Sequence, residues 1–397
     1  MSIFCITRAR IALKFSEAFV TVFEGVNVGQ KLDFYSVQRN RMALSKKSIV
    51  LACLLFSCAP KLSGTNSVST LNVNNLVHPQ QEKWLKGQVE NPTSKGFKHL
   101  VVFGDSLSDP GNLNRRTLGF FLPPSVFYRS RFSNGPIWTD YAQEALTGWS
   151  VSNFSVGGAK TSGNSLVEHF VVIPLNRQIA THQDELKRMP HESAVVAIWI
   201  GANNYTFGVS NYQDKQKRLQ ADKLRTYVDA SMQDISRGIE DLKKLGFRFF
   251  MLGTLPELGV LSDNPREPRE ATAASLFAAT AAHNAALAKL ISQLQKQEDI
   301  VVGTFHAGEV NQATIDEPKK WGFSRLDAPC FVGSLRGQFY GNKEFCADPS
   351  GYKFWEFTHP NSKMHCYYAS QFLLDLSTIK VVPGFSFEKA VQSCKKL

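Results

Sequence analysis

The sequence predicts an α/β protein of three layers, with helices packed on both faces of a central parallel sheet. Three observations point there. The chain is 43% hydrophobic and 20% charged, the composition of a globular protein. From residue 97 onward, five short runs rich in β-branched and aromatic residues recur: His99–Phe103, Val151–Val156, Ala194–Ile200, Phe247–Leu252 and Ile300–Phe305. Longer stretches with helical character lie between them, at Ile137–Leu146, Leu224–Leu245 and Ala271–Lys296. Alternation of strand and helix is the pattern of crossover units, which bury a parallel sheet on both sides.

Before residue 97 the chain reads differently. Residues 1–41 precede a better start at Met42 and are set aside as a non-native or disordered extension. Residues 42–64 read as a secretory signal. Lys46 and Lys47 supply its positive end, and Ser48–Phe56 an apolar core too short to span a bilayer. Leu54 to Cys58 resemble a bacterial lipobox, which would place a lipid on Cys58, although Phe56 is bulky for its position. The expected location is therefore outside the cell or on a bacterial cell envelope. Residues 65–96 are polar and weakly patterned, a linker or surface arm.

Net charge is +11, from 45 Lys and Arg against 34 Asp and Glu. Nine of the cations and only three of the acids precede residue 62, so the remainder is mildly basic. That excess suits an anionic membrane surface and forms no nucleic-acid stripe. Seven cysteines fit an exported chain. The expected disulfide is Cys330–Cys346, flanking a stretch rich in glycine and aromatics; the pairing of Cys366 and Cys394 stays open. Closing a loop of about 15 residues stabilises by about 3 kcal/mol in the chain-entropy description.

In open parallel sheets, ligands sit beyond the carboxyl ends of the strands. The first run, His99–Phe103, leads into Gly104-Asp105-Ser106. The second leads into Gly157-Gly158, the third into Gly201-Ala202-Asn203-Asn204. Near the C-terminus, Glu356 to Asn361 place His359 directly before Pro360, where a helix is expected to begin. A hydroxyl, flexible backbone N–H groups, an amide and an imidazole are the parts acyl transfer needs. Each also has a plainer reading. Ser106 would serve as a helix N-cap with Asp109 as its partner, Gly157 and Gly158 as a turn, Asn203 as a cap, and His359 as a structural histidine. His99, His283, His306 and His365 lack a partner by spacing and are read as structural. No nucleotide fingerprint, P-loop or metal motif competes, so no cofactor is expected.

Four blocks in order decide between these readings. Phe103–Asp109, Asn153–Thr161, Gly201–Asn204 and Phe354–Asn361 resemble the nucleophile, glycine, asparagine and histidine blocks of the GDSL, or SGNH, hydrolases. Within that family the chain is most similar to bacterial phospholipases and glycerophospholipid:cholesterol acyltransferases, through Phe120–Trp138, Trp199–Gly208 and Ala328–Ser334. The resemblance implies a flavodoxin-like hydrolase domain over 97–380, followed by a C-terminal tail at 381–397. It implies Ser106 as nucleophile and His359 as base, with Gly158 and Asn203 as oxyanion donors beside the N–H of Ser106. Where the family usually carries Asp, position 356 is Glu356, so either Glu356 or a backbone carbonyl orients the imidazole. Asn204 likewise replaces an Asp.

The implied substrates are phospholipids and lysophospholipids, with cholesterol as an acyl acceptor and a membrane surface as the site of action. The 330–346 loop is expected to be a lid opened by a protease, with Arg336 as the exposed target. The apolar stretch Gly119–Tyr128 is expected either to touch lipid or to form core. Two other functions remain open: a carbohydrate-ester or short-chain esterase on the same fold, and a non-catalytic lipid-binding protein.

Overall fold

A computed structural model describes residues 96–397, apart from 120, 164, 166–167, 169, 261–269, 334–343 and 383. The expectations for the N-terminal extension, the signal segment, Cys58 and Arg336 therefore lie outside the described residues, as does nearly all of the 65–96 arm.

Five strands form the central sheet: β1 His99–Gly104, β2 Ser150–Asn153, β3 Ala194–Trp199, β4 Phe249–Gly253 and β5 Val301–Phe305. Their order is β2-β1-β3-β4-β5, and every pairing is parallel. The order reverses at β1, so β1 is flanked by β2 and β3. The loops that follow these three strands open side by side at the carboxyl edge.

Alternation along the strands splits the core in two. Leu100 and Val102 of β1 join Val195, Ala197 and Trp199 of β3 on one face, whereas Val101 and Phe103 join Val196 and Ile198 on the other. This is the period-2 pattern of a sheet covered on both sides. Each buried Val, Leu, Ile or Phe among them contributes about 1.5–3 kcal/mol by leaving water.

The principal helices are α1 Asn112–Arg116, α2 Trp138–Ala145, α3 Leu175–Thr181, α4 Ala202–Thr206, α5 Ala221–Lys244, α6 Glu270–Leu294, α7 Ala307–Asp316, α8 Ser362–Thr378 and α9 Phe387–Lys395. Helices α2, α7, α8 and α9 cover the first face; α3, α5 and α6 cover the second. On α5, Ile235, Ile239 and Leu242 face the sheet at helical spacing.

Two details depart from the sequence reading, the start of the last long helix and the C-terminal segment, and one alternative left open, at Gly119–Tyr128, is decided in favour of core. Pro360 does not start a helix. It forms an isolated antiparallel bridge with Phe354, and α8 begins two residues later, at Ser362. Asn361 is the cap, its side chain accepting from Met364 N at 2.9 Å. Gly119–Tyr128 is largely core, because Leu122, Val126 and Phe127 are buried against Phe331 and Trp355. The segment expected as a tail carries α9, which is packed on α8 and joined to it by the Cys366–Cys394 disulfide. The expected Cys330–Cys346 disulfide is present.

Two histidines lie deep in this fold. His283 contacts the Tyr205 hydroxyl through Nδ1 at 2.9 Å; neither its Nε2 nor either ring nitrogen of His365 has a partner among the described residues. Burial pushes both imidazoles down to about 3. A base whose folded pKa lies below its unfolded value of about 6.5 stabilises fully above that value and loses the contribution as pH falls toward the folded pKa. We predict that the difference in unfolding free energy between the wild type and His365→Met changes by about 1.4 kcal/mol per pH unit between pH 6 and 4, the wild type weakening faster. Denaturant titrations at several pH values measure this.

Candidate active site

The first loop of the carboxyl edge follows β1. Ser106 is 7% exposed, at the floor of a turn in which Ser108 N donates to Asp105 O at 3.0 Å and Leu107 N to Asp105 Oδ1 at 3.1 Å. Ser106 caps no helix: the residue preceding α1 is Gly111. Asp109 serves α1 instead. Its carboxylate accepts from the N–H groups of Gly111, Asn112 and Leu113, and from Gly157 N at 2.8 Å in the second loop. One buried acid thus ties the nucleophile block to the glycine block. On the other side, Gln178 brackets Gly104, accepting from its N–H at 3.1 Å and donating to its carbonyl at 2.8 Å.

The second loop places Gly158 at φ +79°, a left-handed conformation that glycine adopts without steric cost; an added Cβ would also approach Val172 Cγ1 at 3.1 Å. The third loop holds Asn203 inside α4, behind the residue Gly201 that precedes the helix, so it is not the cap. Asn203 Nδ2 donates to Ala159 O at 2.9 Å, which joins the asparagine block to the residue next to Gly158. Asn204 uses both ends of its amide. Its Oδ1 accepts from Thr161 N at 3.0 Å, and its Nδ2 donates to Thr161 Oγ1 at 2.8 Å and Ser231 Oγ at 3.0 Å. A carboxylate could not make those donations.

The imidazole arrives from the other end of the chain. After the strand Tyr352–Phe354, Trp355 N donates to His359 O at 2.8 Å, closing a tight loop, and Trp355 Nε1 anchors that loop to Val126 O at 3.1 Å. The turn folds Glu356 back onto His359. Nδ1 of His359 is in hydrogen-bond contact with Glu356 Oε1, and Nε2 lies 2.7 Å from Ser106 Oγ. Thr358 Oγ1 donates to the same Glu356 oxygen at 3.1 Å. Glu356, not a backbone carbonyl, therefore lies on the orienting side of the ring.

Electrostatics separate the three nearby acids. Burial would raise Glu356, but the His359 imidazole and the Thr358 hydrogen bonds outweigh it and hold the carboxyl below its usual range. Asp105 goes the other way: burial pushes it up to about 7, the Leu107 N–H and His359 offsetting only part of that. Burial also raises Asp109, against its four backbone donors. Of the three, only Glu356 is held below its usual range, and it is the one in contact with Nδ1 of the imidazole.

Sequence reasoning missed Thr358, the full reach of Asp109, and Gln178. Asp109 was visible only as a possible capping partner of Ser106. Gln178 acts 74 positions from Gly104, and no local signal announces it.

Comparison with known proteins identifies the family. The family described as GDSL-like lipase/acylhydrolase matches residues 100–372, and the chain belongs to that family. It is similar to a phosphatidylcholine-sterol acyltransferase of Aeromonas hydrophila, 25% identical over 257 residues that cover 64% of this chain and 71% of the relative. It is also similar to a thermolabile hemolysin of Vibrio parahaemolyticus, 23% identical over 69% of this chain and 62% of the relative, less than two thirds of that protein's length. A solved phospholipase A1 from Streptomyces albidoflavus aligns over 70% of this chain and 99% of its own, with 11% identity and a TM-score of 0.42.

The geometry predicts that Glu356→Gln lowers kcat for a simple ester about 10²–10⁴-fold while the protein stays folded, because the amide no longer favours the required tautomer. Steady-state kinetics beside circular dichroism test this. A change below about threefold would mean that the imidazole is oriented by something else.

Proposed function

We propose that this member of the GDSL-like lipase/acylhydrolase family is an exported serine esterase that cleaves acyl esters of glycerophospholipids and lysophospholipids, passing the acyl group to water or to a sterol hydroxyl. The observation that carries the reading is the 2.7 Å contact between Ser106 Oγ and His359 Nε2, backed by Glu356 on Nδ1.

On this reading, Ser106 Oγ attacks the acyl carbonyl as His359 Nε2 takes its proton. Negative charge gathers on the carbonyl oxygen, where the N–H groups of Ser106 and Gly158 and the Asn203 amide receive it. Each such donor contributes about 3–4 kcal/mol of transition-state stabilisation. The tetrahedral species collapses, the alcohol leaves with the proton returned by His359, and the acyl group stays on Ser106. Water or a sterol hydroxyl then attacks the acyl-enzyme, giving its proton to His359. Glu356 holds the ring and stabilises its charged form throughout.

The lipid reading is supported by the likeness to a phosphatidylcholine-sterol acyltransferase and by apolar side chains on loops of the carboxyl edge. Leu118, just beyond α1, is 93% exposed, and Phe170 is 54% exposed. Arg116 fastens the two loops, donating to Phe170 O and Val171 O, each at 3.2 Å. A membrane surface is the partner this edge suits. The loop closed by Cys330–Cys346 is assigned the role of a lid, opened by proteolysis at Arg336.

Incubating the protein with mixed phospholipid and lysophospholipid vesicles, with and without cholesterol, should release long-chain fatty acid by mass spectrometry, and form sterol ester when cholesterol is present. Ser106→Ala should lower turnover at least about 10³-fold. Acetate release from acetylated sugars in place of fatty acid would overturn the substrate assignment. Full turnover by Ser106→Ala would overturn the mechanism.

A further inference from the structure

Phe132 lies in the stretch Arg131 to Pro136, outside any helix or strand, yet it is only 4% exposed. Its ring packs on the imidazole of His359, with centroids 4.6 Å apart and planes inclined by 35°. The same ring covers Gly157: a Cβ added there would come within 2.4 Å of Phe132 Cε2. One flat side chain therefore lies against both the histidine loop and the glycine loop.

Its backbone is tied to the chain just after His359. Ser133 Oγ donates to Pro360 O at 3.2 Å, Ser362 N to Asn134 Oδ1 at 2.8 Å, and Ser362 Oγ to Pro136 O at 2.8 Å. On its other side Arg131 makes a two-pronged pair with Asp140, at 3.0 and 2.7 Å. The ring is thus held from both ends.

We infer that Phe132 is a positioning residue for His359, which keeps the imidazole plane aligned with Ser106 and fixes its spacing from the glycine loop. Hydrogen bonds at Nδ1 and Nε2 act in the plane of the imidazole and only weakly oppose small tilts of the ring through its side-chain torsions. A flat face packed on the ring removes that motion, and its negative π-face favours the imidazolium that forms when Ser106 is deprotonated. Leucine at this position would fill much of the volume without supplying the flat face. The inference rests on the serine–histidine mechanism proposed above.

The test uses hydrolysis of a short-chain p-nitrophenyl ester, so that it does not depend on the natural lipid. Phe132→Leu should lower kcat about 10–100-fold, the cost of a small misplacement of a catalytic group, while KM stays within about twofold. Gly157→Ala, whose methyl displaces the same ring, should lower kcat comparably. The double variant should be little worse than either single one, because both act through one ring. A folded Phe132→Leu protein with kcat within twofold of the wild type, or losses that multiply in the double variant, would overturn the inference. Should Phe132→Leu fail to fold, Ser133→Ala takes its place: a three- to tenfold loss of kcat at constant KM supports the inference, and an unchanged kcat overturns it. Ser106→Ala, run alongside, separates the outcomes, since full turnover there would sink the serine mechanism itself.

Discussion

A hydroxyl and an imidazole 253 positions apart in the chain lie 2.7 Å from one another, and much of the molecule serves to keep them there. On the mechanism proposed above, that contact tolerates little error, because proton transfer from Ser106 to His359 needs hydrogen-bond reach and alignment together. The sheet supplies the frame. By placing β1 between β2 and β3, it lines up three loops whose residues would otherwise have no reason to meet. Below the loops, β1, β3 and β4 are buried on both faces, so the carboxyl edge is set on close-packed side chains that do not yield.

The loops are joined by polar side chains that link one block to the next. Asp109 binds the first to the second through Gly157, Asn203 binds the third to the second through Ala159, and Asn134 with Ser133 binds the segment before α2 to the start of α8. Asp109, Asn203 and Ser133 are buried and Asn134 is half-buried, and an unpaired polar group in a buried place would be expensive. The network is therefore satisfied in few ways other than this one. Electrostatics add direction: of the three acids near Ser106, only Glu356 is held below its usual range, and it contacts the nitrogen of the imidazole that faces away from Ser106.

Much of this was legible in the sequence. All five sheet strands overlap runs whose β-branched and aromatic content marked them; the inner strands β1, β3 and β4 are apolar because they are buried on both faces, whereas the edge strand β2, Ser150–Asn153, is partly exposed and polar. Ser106, Gly158 and Asn203 were legible because each follows a strand run, and His359 through the block around Pro360. Glu356 was legible only as one of two options. What decides for it is a bridge between Phe354 and Pro360 and a hydrogen bond from Trp355 N to His359 O, long-range consequences of folding that leave no local pattern. The start of α8 was misplaced for a similar reason. Pro360 suits a first helical turn, but its neighbours hold it in an extended bridge, and Asn361 is the better cap. Phe132, Gln178 and Thr358 act through contacts made across the fold or within one tight turn, which periodicity cannot reveal.

The central claim is that Ser106 is a nucleophile activated by His359. Covalent labelling with a fluorophosphonate, read by peptide mass spectrometry, tests it most directly. The account predicts a single adduct on Ser106, formed quickly by the native protein and slowed at least about 10³-fold by His359→Ala or by unfolding. An adduct on another residue, or labelling of Ser106 at the same rate without His359, would contradict it.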